Sequence, residues 1–291
     1  MAAAAPTPGT GGGPVVAAFD ASLYTRGVCR HAAWAAGRLG APLTCLHVVE
    51  GRAAGAGGFT DVPLDAGPAL LDEAGLLDAA GRLEGEARAR LLLQQAAALA
   101  AAEVPGLAAA ARIGHGALVD AFAGLAPSAS LFVLGRRGER SEYGAARMGS
   151  QVERVVRAID RPLLVASRGF RGIRRVLLAH DGGERARARL DWVARSPLFA
   201  GLDIRVVAVG DEGMRPAVDE ALAALQAAGL EAAGRVVHGD PQEAIALHAE
   251  AVGADLLVMG AYGGSRLRQL ILGSTTSTLL RTCPIPVLLL R

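Results

Sequence analysis

Between Gly260 and Thr275 the chain reads Gly260-Ala261-Tyr262-Gly263, nine further residues, then Gly273-Ser274-Thr275. Glycines at such positions let a main chain turn with positive φ and come close to an oxygen anion. If Gly273-Ser274-Thr275 opens a helix, its unpaired N–H groups and positive dipole end attract phosphate, and the two hydroxyls add donors. Arg266 and Arg268 lie in the intervening stretch. Asp181, some eighty residues upstream at the end of an apolar run, offers a carboxylate to a ribose hydroxyl or an exocyclic amine. An earlier stretch repeats the theme: Asp20 ends an apolar run, and Gly135-Arg136-Arg137-Gly138 precedes ten residues and then Gly149-Ser150. The chemistry suggested is the cradling of a phosphate-bearing ligand. A Gly-rich loop alone can also serve only a tight turn, and either aspartate could equally cap the next helix.

Other chemistries are excluded by composition. The 291 residues include 30 basic ones, and every one is arginine. A Walker A loop requires lysine, so P-loop NTPase chemistry is ruled out, and lysine Schiff-base mechanisms with it. His31, His47, His115, His180, His238 and His248 do not cluster with cysteine or carboxylates at ligand spacing, so no metal site is expected. Cys29, Cys45 and Cys283 are odd in number, widely spaced and set among apolar residues, the pattern of buried free thiols. The net charge is +2, and arginines in stretches such as Arg185–Arg189 alternate with alanine as on a solvated helix face. Neither feature points to a nucleic-acid partner. The apolar runs are too short to span a bilayer, and the start, MAAAAPTPGTGGGP, reads as a flexible tail over 1–13 without an export signal. The expected location is the cytoplasm.

The elements that must position these residues occur twice. Val15–Asp20 and Val176–Asp181 are apolar runs ending in Asp, each followed by a helical stretch with a tryptophan, Trp34 or Trp192. The next strand-like runs are Leu43–Val49 and Ile204–Val209, and 28 positions separate Asp20 from Val48 just as 28 separate Asp181 from Val209. Ala111–Gly116 then matches Arg235–Gly239, and Leu131–Gly135 matches Leu256–Gly260. From Gly149 to Pro162 and from Gly273 to Pro286 the spacing is 13 in both copies, and a last short strand follows each proline. Short apolar runs alternating with longer helical patterns predict two α/β domains, each a doubly wound, Rossmann-like sheet of five parallel strands. The domains are expected over 14–168 and 173–291, joined near Ser167–Arg171. The first copy carries an insert at about 50–90; within it Gly51–Pro68 reads as mobile and Leu83–Ala102 as a long helix. Ligands of open parallel sheets bind beyond the carboxyl ends of the strands where strand order reverses, which places both aspartates and both first glycines at one crevice in each copy.

On these motifs the chain resembles a tandem universal stress protein, a family of the adenine nucleotide α-hydrolase-like fold. Its ATP-binding members carry Gly-x2-Gly-x9-Gly-Ser/Thr after the fourth strand and Asp after the first. Gly260, Gly263, Gly273 and Ser274, with Thr275 next to them, match this spacing, and Asp181 stands where the Asp should. Val209 and Val48 match the position whose main chain meets the base. In the first copy Gly135, Gly138, Gly149 and Ser150 are one residue out of step. The resemblance covers nearly the whole chain outside the tail and insert. It implies binding of ATP, with magnesium, by a cytoplasmic, nucleotide-responsive regulatory module, with no catalytic residue assigned. It further implies pairing of the two copies as a built-in pseudo-dimer, with scope for a homodimer and a protein partner. A weak ATPase and a scaffold without nucleotide are the alternatives.

Overall fold

The computed structural model describes residues 12–49, 58–64, 70–139, 150–261 and 273–291. The chain divides into two compact units, Gly11–Phe170 and Arg171–Arg291. In the N-terminal unit the order is β1 (Val15–Ala18), α1 (Thr25–Leu39), β2 (Leu43–Val49), β3 (Phe59–Val62), α2 (Glu73–Gly81), α3 (Gly85–Glu103), β4 (Ala109–His115), α4 (Leu118–Leu125), β5 (Leu131–Gly135), α5 (Ser150–Ala158) and β6 (Leu163–Ala166). The C-terminal unit follows with β7 (Arg175–Ala179), α6 (Glu184–Arg195), β8 (Asp203–Val209), α7 (Arg215–Ala227), β9 (Glu231–Val237), α8 (Pro241–Ala251), β10 (Leu256–Gly260), α9 (Ser274–Thr282) and β11 (Val287–Leu290).

Strand order within the units is β3-β4-β2-β1-β5-β6 and β9-β8-β7-β10-β11. Every pairing within each unit is parallel except β3 with β4. The central strands are apolar along their length because helices cover both faces of a parallel sheet: Leu131–Leu134, Leu163–Ala166, Leu256–Met259 and Val287–Leu290 are all buried. The repeat spacing noted in the sequence is the ladder register itself. Val15 pairs with Leu43 and Val176 with Ile204, each 28 residues on. Packing on the helical side includes a stacked Phe122–Phe132 pair with centroids 4.3 Å apart and an edge-to-face Trp192–Phe199 pair at 5.9 Å.

The insert is more structured than its composition suggests. Residues 51–57 and 65–69 lie outside the described residues, but between them Phe59–Val62 forms an antiparallel edge strand on β4. For Phe59–Val62 alone this corrects the reading of Gly51–Pro68 as mobile. Phe59, Thr60 and Val62 are residue types that favour strands, Val62 is buried, and Asp61 on the exposed edge is paired to Arg112 at 2.9 Å. The first sheet therefore has six strands, not five. The long helix is present as α3. A second helix, α2, was not foreseen; it starts on Asp72, which accepts from the Gly75 N–H at 2.7 Å. The insert is tied to α1 by polar contacts through Leu71, whose N–H donates to Gln95 and whose carbonyl accepts from Arg26. Cys29 Sγ also donates to Ala96 O at 3.0 Å. Cys29, Cys45 and Cys283 are buried free thiols, and burial pushes the Cys45 thiol up to about 12.

His31, in α1, is buried, hydrogen-bonded through Nδ1 to Gly27 O at 2.6 Å and edge-on to Phe170. Burial holds the ring neutral and lowers its pKa from 6.5 to about 4. The unfolded chain thus binds this proton first as pH falls. The contribution to stability is complete above about 6.5 and is lost as pH drops toward 4, by about 3 kcal/mol at most. We expect His31→Gln to flatten the pH dependence of urea-unfolding free energy between pH 6.5 and 4. An unchanged slope would show that other groups carry it.

Candidate functional site

The crossovers leave β1 and β5, and likewise β7 and β10, as neighbours whose following helices run to opposite faces. The gap beyond their carboxyl ends is the crevice that a doubly wound sheet offers to ligands. Asp181 and Gly260 stand there in the C-terminal unit, and Asp20 and Gly135 in the N-terminal one, as the repeat predicts. Val209 and Val48 end or nearly end β8 and β2, on the strand next to each aspartate. Gly263 and Gly149 lie outside the described residues, as do Tyr262, Arg266 and Arg268.

In the C-terminal crevice Asp181 caps no helix. The cap of α6 is Gly183, and Asp181 Oδ1 accepts the Gly183 N–H at 3.3 Å in a local turn. The same oxygen accepts from Arg189 Nη2 at 3.3 Å. The Asp181 side chain is 50% exposed, whereas Arg189 is only 4% exposed. The guanidinium lies against the α-carbon of Gly260: a β-carbon there would sit 2.8 Å from Arg189 Cζ and 2.9 Å from Nη1. Gly260 therefore makes room for a side chain of this chain. On its other side Gly260 O accepts from Thr276 Oγ1 at 3.1 Å. That bond holds the first turn of α9, with Gly273 as its cap and Ser274 and Thr275 leading it, beside the end of β10. Among the described residues no side chain caps α9, so its leading N–H groups have no side-chain acceptor there.

Arg189 and Thr276 were missed in the sequence. The run Glu184-Arg-Ala-Arg-Ala-Arg189 looks like a solvated face, and Arg187 does pair with Glu220 as an exposed ion pair at 2.8 Å. Arg189 departs from that reading because it shares the i, i+3, i+4, i+7 stripe of Ala186, Leu190 and Val193, all buried. That period was the available signal.

The N-terminal crevice is arranged differently. Asp20 Oδ2 accepts the Glu139 N–H at 3.0 Å, and a β-carbon on Gly138 would lie 2.7 Å from the same oxygen. Gly138 is thus needed where the loop folds onto the aspartate. A β-carbon on Gly135 would meet Tyr24 Cβ at 2.8 Å. Glu139 is in turn ion-paired to Arg88 on insert helix α3. Asp20 is no helix cap either, since α1 begins after Tyr24. Burial raises the Asp20 carboxyl pKa, opposed by its bonds to Ser22 and the Glu139 N–H. Next to it, His47 Nδ1 bonds Phe19 O at 2.7 Å, and burial keeps the ring below its usual pKa. Ser150 starts α5. Among the described residues no three His, Cys, Asp or Glu side chains gather as a metal site. No described helix is long and apolar enough to cross a membrane.

Comparison with known proteins agrees with this architecture. The model of the universal stress protein family matches twice, over residues 13–167 and 172–291. Universal stress protein Slr1230 of Synechocystis sp. is 33% identical over 282 residues, covering 94% of this chain and 97% of that protein. A universal stress protein structure from Archaeoglobus fulgidus DSM 4304 superposes with a TM-score of 0.67 at 19% identity, over 95% of this chain and 98% of the other. A second structure from Archaeoglobus fulgidus, solved in complex with dAMP, matches 41% of this chain and 98% of its own at 19% identity and a TM-score of 0.33. The chain belongs to the universal stress protein family and carries its domain twice.

Proposed function

We propose that the chain is a nucleotide-responsive regulatory module that binds an adenine nucleotide, ATP in the first instance, in its C-terminal crevice. The observation that carries this is the state of the two aspartates. Asp181 is half exposed, with Oδ1 engaged by Gly183 and Arg189 and the carboxylate open to a ribose hydroxyl or an exocyclic amine. The uncapped first turn of α9, with Ser274 and Thr275, supplies N–H and hydroxyl donors to phosphate. Gly260 and Gly273 border the stretch that would meet the phosphates, with Gly263 between them in the sequence, and the main chain at Val209 borders the base. Magnesium would be carried in on the phosphates, as is usual for that ion. Asp20, by contrast, is already engaged by its own loop, so Val48, Gly135, Gly138, Gly149 and Ser150 form the weaker site.

Calorimetry of MgATP binding to the intact chain tests the reading. Asp181→Ala should weaken binding about 10- to 100-fold, the effect of losing hydrogen bonds to a charged acceptor, while Asp20→Ala should change it less than threefold. No binding by the wild type at millimolar ATP would defeat the reading. Turnover of about 1 s⁻¹ or more, an ordinary enzyme rate, would replace the regulatory role by an enzymatic one.

The contrast also predicts an effect on stability. Because the fold raises the Asp20 pKa above 3.8, the folded chain holds this proton to higher pH than the unfolded chain does. Ionised Asp20 therefore carries a burial cost at neutral pH that is absent below about 3.8. Asp20→Asn keeps an acceptor for the Glu139 N–H and removes the charge. It should be at least as stable as wild type at pH 7, with any advantage gone below pH 4. Urea titrations at the two pH values check this, and a variant less stable at pH 7 than at pH 4, relative to wild type, would contradict it.

A further inference from the structure

Arg189 is a nearly buried cation beside Gly260 and Asp181 at the C-terminal crevice. Eight residues after Asp20 the N-terminal copy has Val28, also buried, where Arg189 follows Asp181 by the same eight. Val28 and Arg189 each lie on the buried side of their helix, and the Ala186, Leu190 and Val193 that flank Arg189 are apolar. Taking a guanidinium out of water is costly unless its donors are used. Among the described residues Asp181, through Nη2, is its hydrogen-bond partner, and a guanidinium has five N–H donors in a fixed fork. Its Nη1 and Nε lie along the α-carbon of Gly260, and Gly260 also receives Thr276 from the first turn of α9. The guanidinium and the positive end of α9 therefore flank the same glycine from two sides. Their fields add at the mouth of the crevice, in surroundings less screened than bulk water.

We propose that Arg189 is a ligand-binding and specificity-determining residue: its guanidinium donates to an anionic oxygen of the bound molecule, so that the C-terminal crevice selects phosphate-bearing ligands over neutral ones. This rests on the nucleotide reading above and adds to it the residue that reads charge. A bidentate or forked donor fits a phosphate oxygen pair better than a point charge does.

The test compares ATP and adenosine by calorimetry on wild type, Arg189→Val and Arg189→Gln. Arg189→Val removes the charge and matches the residue eight positions after Asp20 in the N-terminal copy, and thermal unfolding confirms that each variant folds. In wild type ATP should bind about 30-fold or more tighter than adenosine. Both variants should lose about 10- to 100-fold in ATP affinity, the scale of a hydrogen bond to a charged group, and less than threefold in adenosine affinity. An ATP-to-adenosine ratio unchanged in a folded variant overturns the proposal, as does tighter ATP binding, which would mean that Arg189 merely fills the ligand's space. Inorganic pyrophosphate separates this from the nucleotide reading. If wild type binds neither ATP nor adenosine, the nucleotide reading fails. The role of Arg189 then stands only if pyrophosphate raises the melting temperature of wild type and not of Arg189→Val, and falls if it does not.

Discussion

The whole architecture depends on one constraint: a parallel sheet covered on both faces can satisfy its backbone only along its own ladders. Each strand must return to the same end of the sheet through a helix before it pairs again. The chain therefore winds outward from β1 and β7 in one direction and, after the third parallel strand, from the other side of the same strand. Where the winding reverses, the connections diverge and no helix covers the strand ends. Asp20 and Asp181, Gly135 and Gly260 are at that divergence because each ends a strand that borders it. The crevice follows from the ladder and does not require a ligand to shape it.

Within that shared frame the two copies have come to different electrostatic solutions. In the N-terminal copy the aspartate is folded under its own loop, and the Arg88–Glu139 pair ties that loop to the insert. In the C-terminal copy the aspartate keeps its exposure, and a buried arginine supports it from below. Asp20 is held by the loop after β5, whereas half-exposed Asp181 is held by a local turn at Gly183 and by Arg189. The loops of the two copies also differ by one residue in length.

Much of the fold was legible because its signals are periodic. The 28-residue interval between matched strands is the register of Val15 with Leu43 and of Val176 with Ile204, so the repeat encoded pairing as well as element order. The same logic put the first-strand aspartates and Gly260 at the ends of the strands that border the crevice. Strand β3 was hidden because its four residues, Phe59, Thr60, Asp61 and Val62, carry no polar–apolar alternation, and α2 because nine residues rich in small and apolar types show little amphipathic period. Arg189 was hidden by its charge: arginine beside alanine reads as surface unless the helical period is followed through Ala186, Leu190 and Val193. What the described glycines make room for was not legible. Gly260, Gly135 and Gly138 accommodate Arg189, Tyr24 and Asp20 of the chain itself, which only three-dimensional neighbours reveal.

The antiparallel strand β3 has a consequence for how this chain behaves in a crowded solution. A parallel sheet that ends in β4 would present a row of main-chain donors and acceptors to any extended segment that drifted past. The insert covers that row with a four-residue strand, and Thr60 and Asp61 lie exposed on it. So short and polar a margin is a poor template for further strand addition. The insert thus serves as a gatekeeper against intermolecular β-association, a colloidal role separate from its contact with the crevice loop.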